Sequence, residues 1–440
     1  MKRAILPTFL MMAFAATGCT DPDIALSGKR EPVTAILADV GAQLDGQQEN
    51  QSRTFEAPSE KNNSNWPQGH GTPKTRTTHP ALAASLSKAW SAPIGRGDRQ
   101  RVRISADPIF VDGMIVTLDS QSLLAATSAA GARLWSLDLT PAGEQAGEAD
   151  GGGLAAGGGK IYVTTGYGEM AAVDPKTGEK IWSQSLMALA AGRPAYSNGL
   201  VYVVSGAATS WAVEADNGRV RWQIDGLSDL NMRRGSTGPA VSDKLVLFGY
   251  GSGDVQAAFR KGGLVLWTAT LAGARSGQAI STINGIGASP VISGKRVYAA
   301  SASGRLVAMN LDSGARLWTA PHGALTPLWV AGGSVFLIND IGQLVRVDAR
   351  NGKTIWATDL PTDKASLSWR STEVIAHHGP ILAGGRLIVA SGDGLLRQFD
   401  PASGTELDAV KIPGGATTSP IVANGVLYVV SKNGKLHAFR

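Results

Sequence analysis

The chain has 440 residues, of which only 17% are charged and 55 are glycine, with a formal net charge of +6. That mix fits many short strands joined by turns and excludes a bundle of long solvated helices. The positive charge is mild and diffuse, with no run of five or six basic residues and no interleaved aromatic platform, which excludes a nucleic-acid-binding surface.

In chain order, Met1-Lys2-Arg3 precedes an apolar run from Ala4 to Ala16, broken only by Pro7 and Thr8. Such a run is too short for a membrane helix, which needs about 20 residues, and reads as the core of a signal peptide over 1–18. Ala16-Thr17-Gly18-Cys19 follows, small residues leading to the single cysteine of the chain. This lipobox-like pattern makes Cys19 the expected lipidation site, with acyl chains such as palmitate giving firm attachment; ordinary signal cleavage nearby is the alternative. From Thr20 to Leu86 the sequence is rich in Gln, Asn, Ser, Thr and Pro. Residues 19–86 are therefore expected to form a flexible polar tether, since they bury too little apolar surface to offset ordering. Trp66-Pro67-Gln68-Gly69 is the exception, and its lone Trp is expected to dock on the folded body.

The region 87–440 is built on a repeated frame. In Ala172, Asp174, Gly178 and Trp182, Gly lies four residues after Asp and Trp four after Gly, which reads as strand, polar turn, strand. The frame recurs at Trp222 and Trp318, more loosely at Trp135, Trp267 and Trp356, and degenerates at Asp400, Gly404 and Asp408, where Asp replaces Trp. Ahead of it each unit carries a Val/Ile-rich hairpin, as in Pro108 to Val116 around Asp112-Gly113 or Pro194 to Tyr202 around Asn198-Gly199. Asn-Gly and Asp-Gly supply the positive φ that a two-residue hairpin turn needs. Four strands per unit is the count for a propeller blade, and a spacing of about 44 residues lies in the range of propeller repeats. The predicted fold is thus all-β, an eight-bladed propeller of four-stranded antiparallel blades. The last unit stops before its Trp, while Ala89-Trp90 supplies a Trp strand with no unit before it. The N-terminal strand is expected to complete the C-terminal blade, which leaves the ring without an open end.

Lipobox, tether, eight repeats and end-to-end closure together resemble the BamB family of PQQ-like repeat propellers, the lipoprotein subunits of the outer-membrane β-barrel assembly machine. The resemblance implies a non-catalytic scaffold that calls for no cofactor, anchored in the outer membrane and facing the periplasm. Thr20 rather than Asp after Cys19 agrees with that membrane, because Asp there marks inner-membrane retention in such lipoproteins. It also implies contact with the periplasmic POTRA domains of BamA through Leu230, Met232 and Arg233, with Arg234 competing for the Arg role, and possible contact with unfolded outer-membrane protein substrates. Apart from the resemblance, two apolar residues and two Arg in a stretch without strand alternation have the composition of an interface hot spot, or of a connector packed under the ring. At the next interblade segment the family carries an acidic pair where this chain has Gly285 and Gly287.

Catalytic constellations are not visible. His377 and His378 are adjacent, so on a strand they face opposite sides and cannot share a metal. Asp174, Glu214, Asp348 and Asp400 occupy repeat turns, where carboxylates bond the turn backbone. Two other readings remain at this point. A quinoprotein dehydrogenase shares the Trp repeat, although no cysteine after Cys19 is left for the vicinal disulfide frequent in such enzymes. A polysaccharide-binding propeller would gather carboxylates and aromatics at one mouth of the ring.

Overall fold

A computed structural model describes residues 50–69, 77–149, 151–189, 192–226, 237–271, 285–302, 304–362 and 374–440. Chain order begins with β1 (Lys88–Pro93), which lies apart from its sequence neighbours. Blade 1 is β2 (Ile109–Val111), β3 (Met114–Leu118), β4 (Leu123–Ser128) and β5 (Arg133–Asp138); blade 2 is β6 (Gly152–Gly157), β7 (Lys160–Thr165), β8 (Glu169–Val173) and β9 (Lys180–Ser185). Blade 3 is β10 (Ala195–Ser197), β11 (Leu200–Val204), β12 (Thr209–Glu214) and β13 (Val220–Asp225); blade 4 is β14 (Ala240–Val241), β15 (Leu245–Gly249), β16 (Asp254–Phe259) and β17 (Val265–Thr270). Blade 5 is β18 (Ile286–Ser293), β19 (Arg296–Ser301), β20 (Leu306–Asn310) and β21 (Arg316–Ala320); blade 6 is β22 (Trp329–Ala331), β23 (Ser334–Ile338), β24 (Gln343–Asp348) and β25 (Thr354–Asp359). Blade 7 is β26 (His377–Ala383), β27 (Arg386–Ser391), β28 (Leu395–Phe399) and β29 (Glu406–Lys411). The closing blade is β30 (Ile421–Ala423), β31 (Val426–Ser431) and β32 (Lys435–Phe439), with β1 antiparallel to β32 as its fourth strand. The described residues thus form eight four-stranded antiparallel sheets, and the ends of the chain meet in one blade as the repeat count requires.

The hairpins follow from their turn residues. Asp112-Gly113, Asn198-Gly199 and Asn424-Gly425 all have positive φ at both positions, the geometry whose twist matches paired strands. Apolar side chains on both faces of the inner strands pack against the neighbouring blades, so the core is a set of interblade layers. The largest layer joins blades 6, 7, closing and 1 with Trp66, Leu82 and Leu86.

The repeat Trp residues hold these layers together. Trp90, Trp135, Trp182, Trp222, Trp267, Trp318 and Trp356 lie on Gly131, Gly178, Gly218, Gly263, Gly314, Gly352 and Gly404 of the following blade. Each indole N–H donates to a backbone carbonyl of the same turn at 2.8–3.2 Å. The close approach demands glycine: at Gly178, φ is +75° and a Cβ would lie 2.6 Å from the Trp135 ring. Asp408 on β29 is the departure, and the closure explains it. A Trp there would have to lie on a turn between β32 and β1, but these strands come from opposite ends of the sequence and no turn joins them.

Residues 50–65 and 77–86, assigned by composition to the flexible tether, are a correction: they run over the ring as a strap, and Trp66-Pro67-Gln68-Gly69, the exception in that stretch, docks on the folded body as expected. Asn50 brackets Ala357 with two hydrogen bonds of 2.9 Å, and the Gln51 N–H donates to the Ile355 carbonyl at 2.9 Å. Arg346, 2% exposed, donates to the Arg53, Thr54 and Pro401 carbonyls and lies 5.2 Å over the Phe55 ring. Further along, the Asn424 N–H donates to the Asn63 carbonyl, and Gly384 to that of Pro80. The polar composition misled because order here comes from backbone hydrogen bonds to the ring, with only a few apolar anchors. Residues before Asn50, Cys19 among them, lie outside the described residues.

Candidate functional site

With its Trp66 to Gly69 stretch the strap crosses the first strands of several blades. Trp66 is 1% exposed; its backbone exchanges two hydrogen bonds with Phe110 of β2, and its ring stacks at 6.2 Å on Trp329 of β22. The Ala156 N–H donates to the Pro67 carbonyl, and the Tyr196 N–H to the Gln68 side chain at 2.8 Å. Trp66 therefore bridges the first strands of blades 1 and 6, and Gln68 reaches blade 3. Beneath it Arg193 forms an ion pair with Asp107, whose other oxygen accepts the Ser419 N–H at 2.8 Å. The pair ties blades 1, 3 and closing together, and the space left beside it under Trp66, about 10 Å³, holds no more than a water. Half-buried His378 faces the same charges; burial pushes its imidazole down to about 4, against the pull of Asp107, so it is neutral at pH 7. The sequence held the signal for this pair, since Asp107 and Arg193 stand before Pro where the other units with that Pro have uncharged Ser, Thr or Gly, but not its geometry.

The repeat-turn carboxylates are acceptors. Asp174 receives the Lys176 and Thr177 N–H groups at 2.7 and 3.0 Å, and these bonds hold its pKa below the usual range. Side-chain hydrogen bonds from Arg350 hold Asp348 far lower still. His377 is committed to Ser391 and the Pro361 carbonyl at 2.7 and 2.8 Å, and no group of three potential metal ligands occurs among the described residues.

Leu230, Met232, Arg233 and Arg234 lie in 227–236, outside the described residues. Their flanks are fixed. Gly226 is held by the Ala208 carbonyl and packs on the Tyr250 ring, where a Cβ would meet it at 2.3 Å, and the Thr237 hydroxyl donates to the Gly249 carbonyl at 3.1 Å. Tyr250 is buried, bonds Ser210 at 2.6 Å and has its phenol pushed up to about 12 by burial. The next interblade segment, 272–284, returns at the same residue, since the Ile286 N–H donates to the Tyr250 carbonyl. A described flank of each thus lies beside one tyrosine.

At Gly285 and Gly287, which follow that second segment, the structure separates the positions. A Cβ on Gly287 would lie 2.1 Å from the Ala324 carbonyl oxygen, whereas at Gly285 the nearest atom is 3.1 Å away. Gly287→Asp is expected to cost about 2–4 kcal/mol through forced backbone movement and a crowded charge, and Gly285→Asp less than about 1 kcal/mol. Urea midpoints of the two variants check this, and equal midpoints would refute it.

The family model described as outer membrane protein assembly factor BamB matches residues 119–358 and 362–440. The outer membrane protein assembly factor BamB of Yersinia pestis is 23% identical over 361 residues, covering 81% of this chain and 89% of that protein. BamB from Moraxella catarrhalis superposes with a TM-score of 0.64 at 20% identity, over 81% of this chain and 100% of that one. Quinohemoprotein alcohol dehydrogenase from Comamonas testosteroni also reaches 0.64, at 14% identity over 86% of this chain and 80% of that one, so the fold alone does not separate the two. The sequence match does separate them, and by it the chain belongs to the outer membrane protein assembly factor BamB family.

Proposed function

We propose that the protein is a non-catalytic lipoprotein scaffold of the β-barrel assembly machine, anchored through Cys19 in the outer membrane, facing the periplasm and binding BamA through Leu230, Met232, Arg233 and Arg234. The observation that carries this reading is the family match along both the early and late blades, shared with relatives named as assembly factors over four-fifths of the chain. The geometry supports it in two ways. Gly226 and Ile286, which flank 227–236 and 272–284 respectively, both lie against Tyr250, so one partner surface can meet both places. The space under the strap is filled by Trp66 and crossed by Arg193 and Asp107, an arrangement that stiffens a disc. A stiff disc keeps a contact surface preorganised and limits the ordering cost of binding.

Pull-down of BamA is the direct test. Wild type is expected to recover BamA, and a folded Leu230→Ala, Arg233→Ala, Arg234→Ala variant to recover at least about tenfold less, as for a hot spot of apolar and Arg anchors. Equal recovery by the variant removes the site, and no recovery by wild type removes the function.

A further inference from the structure

The outer strand of every blade is the edge of its sheet, and edges of this kind are usually protected by charge. Here the protection fails on one blade. β1 carries Lys88, β5 Arg133 and Asp138, β9 Lys180, β13 Arg221 and Asp225, β21 Arg316, β25 Asp359, and β29 Glu406, Asp408 and Lys411. β17, Val265-Leu-Trp-Thr-Ala-Thr270, carries none. Its turn is also apolar: Phe259 stands where Asp174, Glu214, Asn310 and Asp348 stand in other units, and Leu264 follows Gly263. Phe259, Leu264, Val265 and Leu266 are 39%, 70%, 37% and 42% exposed, a continuous apolar flank beside an uncharged edge. Arg260, which is buried, and Lys261 in the turn are the nearest charges ahead of it in sequence, and the Arg316 guanidinium of the next blade donates to the Thr270 carbonyl at 2.9 Å, so the open stretch of the edge is Val265 to Ala269.

The same molecule shows what such an edge accepts. β25, whose single charge lies at its far end, is covered by extended chain from the strap: Gln51 donates to Ile355, and Asn50 brackets Ala357. Among the described residues no chain covers β17 in this way.

We propose that β17 is a strand-addition site for an extended segment with alternating apolar and polar residues, the chemistry of an unfolded membrane-barrel strand. This rests on the assembly-factor reading above. Backbone hydrogen bonds along β17 align the segment, and Phe259, Leu264 and Leu266 take its apolar side chains. The cost of ordering is small on the protein's side because β17 is already fixed by Trp267 on Gly314.

The test uses the mature chain and a fluorescent peptide of about ten residues, the length of a membrane-spanning strand, with alternating Val and Thr. Val265→Arg restores the residue type found at that place in β5 and β21, and Leu266→Lys is a second variant. Leu317→Lys on β21 is the control, equally exposed and next to the equivalent Trp. Both β17 variants are expected to weaken binding about tenfold or more with unchanged melting temperature, and the control to leave it unchanged. N-methylation of alternate peptide amides, which blocks edge pairing and keeps the side chains, is expected to abolish binding. Equal binding by the β17 variants or by the methylated peptide overturns the proposal. So does a wild-type dimer in sedimentation that Val265→Arg dissolves, since the edge would then serve a second copy. BamA recovery, measured in parallel, separates the failures: its absence in wild type removes the assembly-factor reading, whereas its persistence without peptide binding removes only β17.

Discussion

Trp356→Ala is expected to lower the unfolding free energy by about 3–5 kcal/mol, read as a fall in the urea midpoint. Trp356 is fully buried, lies on Gly404 at a distance that admits no Cβ, and donates to the Pro401 carbonyl at 3.2 Å. Its removal leaves a void in the layer that unites blades 6, 7, closing and 1, and takes one of two donors from the Pro401 carbonyl, which keeps Arg346. Blade packing around it cannot collapse easily, because the Arg346 guanidinium is fixed to the same turn. Trp90→Ala removes the same kind of contact from a less buried position and is expected to cost about half as much, roughly 2 kcal/mol. Equal and small losses from both would mean that these contacts do not hold the blades.

The second large effect is expected from Trp66→Ala, about 3–5 kcal/mol, with the loss concentrated in the strap. Its backbone bonds to Phe110 depend on the ring being wedged against Trp329. Amide exchange at Trp66 and Phe110 is expected to rise at least about a hundredfold while amides of blades 2 to 5 keep their protection, the pattern of local rather than global opening. Trp66→Phe, which retains an aromatic wedge, is expected to recover more than half of the protection. Unchanged exchange in the alanine variant would show that the strap is held elsewhere, with Arg346 and Phe55 the contacts to examine next.

The propeller was legible because its signal is repeated: Asp or Asn in the turn, Gly four residues on and Trp four further recur often enough that one degenerate copy does not hide them. Even Asp408 is informative, since the copy that lacks Trp is the one facing the seam. The strap was not legible. Gln51, Arg53 and Asn63 are held through backbone carbonyls and amides that any sequence possesses, and through Arg346, nearly 300 residues away and unremarkable within its strand. Nor could spacing show that Asp107 and Arg193 meet, because that pairing depends on how blade 2 sets the first strands of blades 1 and 3 relative to each other. Leu230 to Arg234 were singled out by resemblance and composition; what the structure adds is the fixed frame of Gly226, Thr237 and Tyr250 on either side.

The strap also decides where the disc takes mechanical load. A pull arriving along the chain from before Asn50 does not reach β1 directly. It meets first the bonds of Asn50 and Gln51 to β25, then the 2.7 Å ion pair of Arg53 with Asp348 and the Arg346 clamp, all on blade 6. Only when these have yielded would tension pass through Asn63 and Trp66 towards the β1–β32 seam, the joint that has no Trp on its blade 7 side. The one joint of the ring without its Trp is therefore shielded from tension by residues that composition alone assigned to a slack cord.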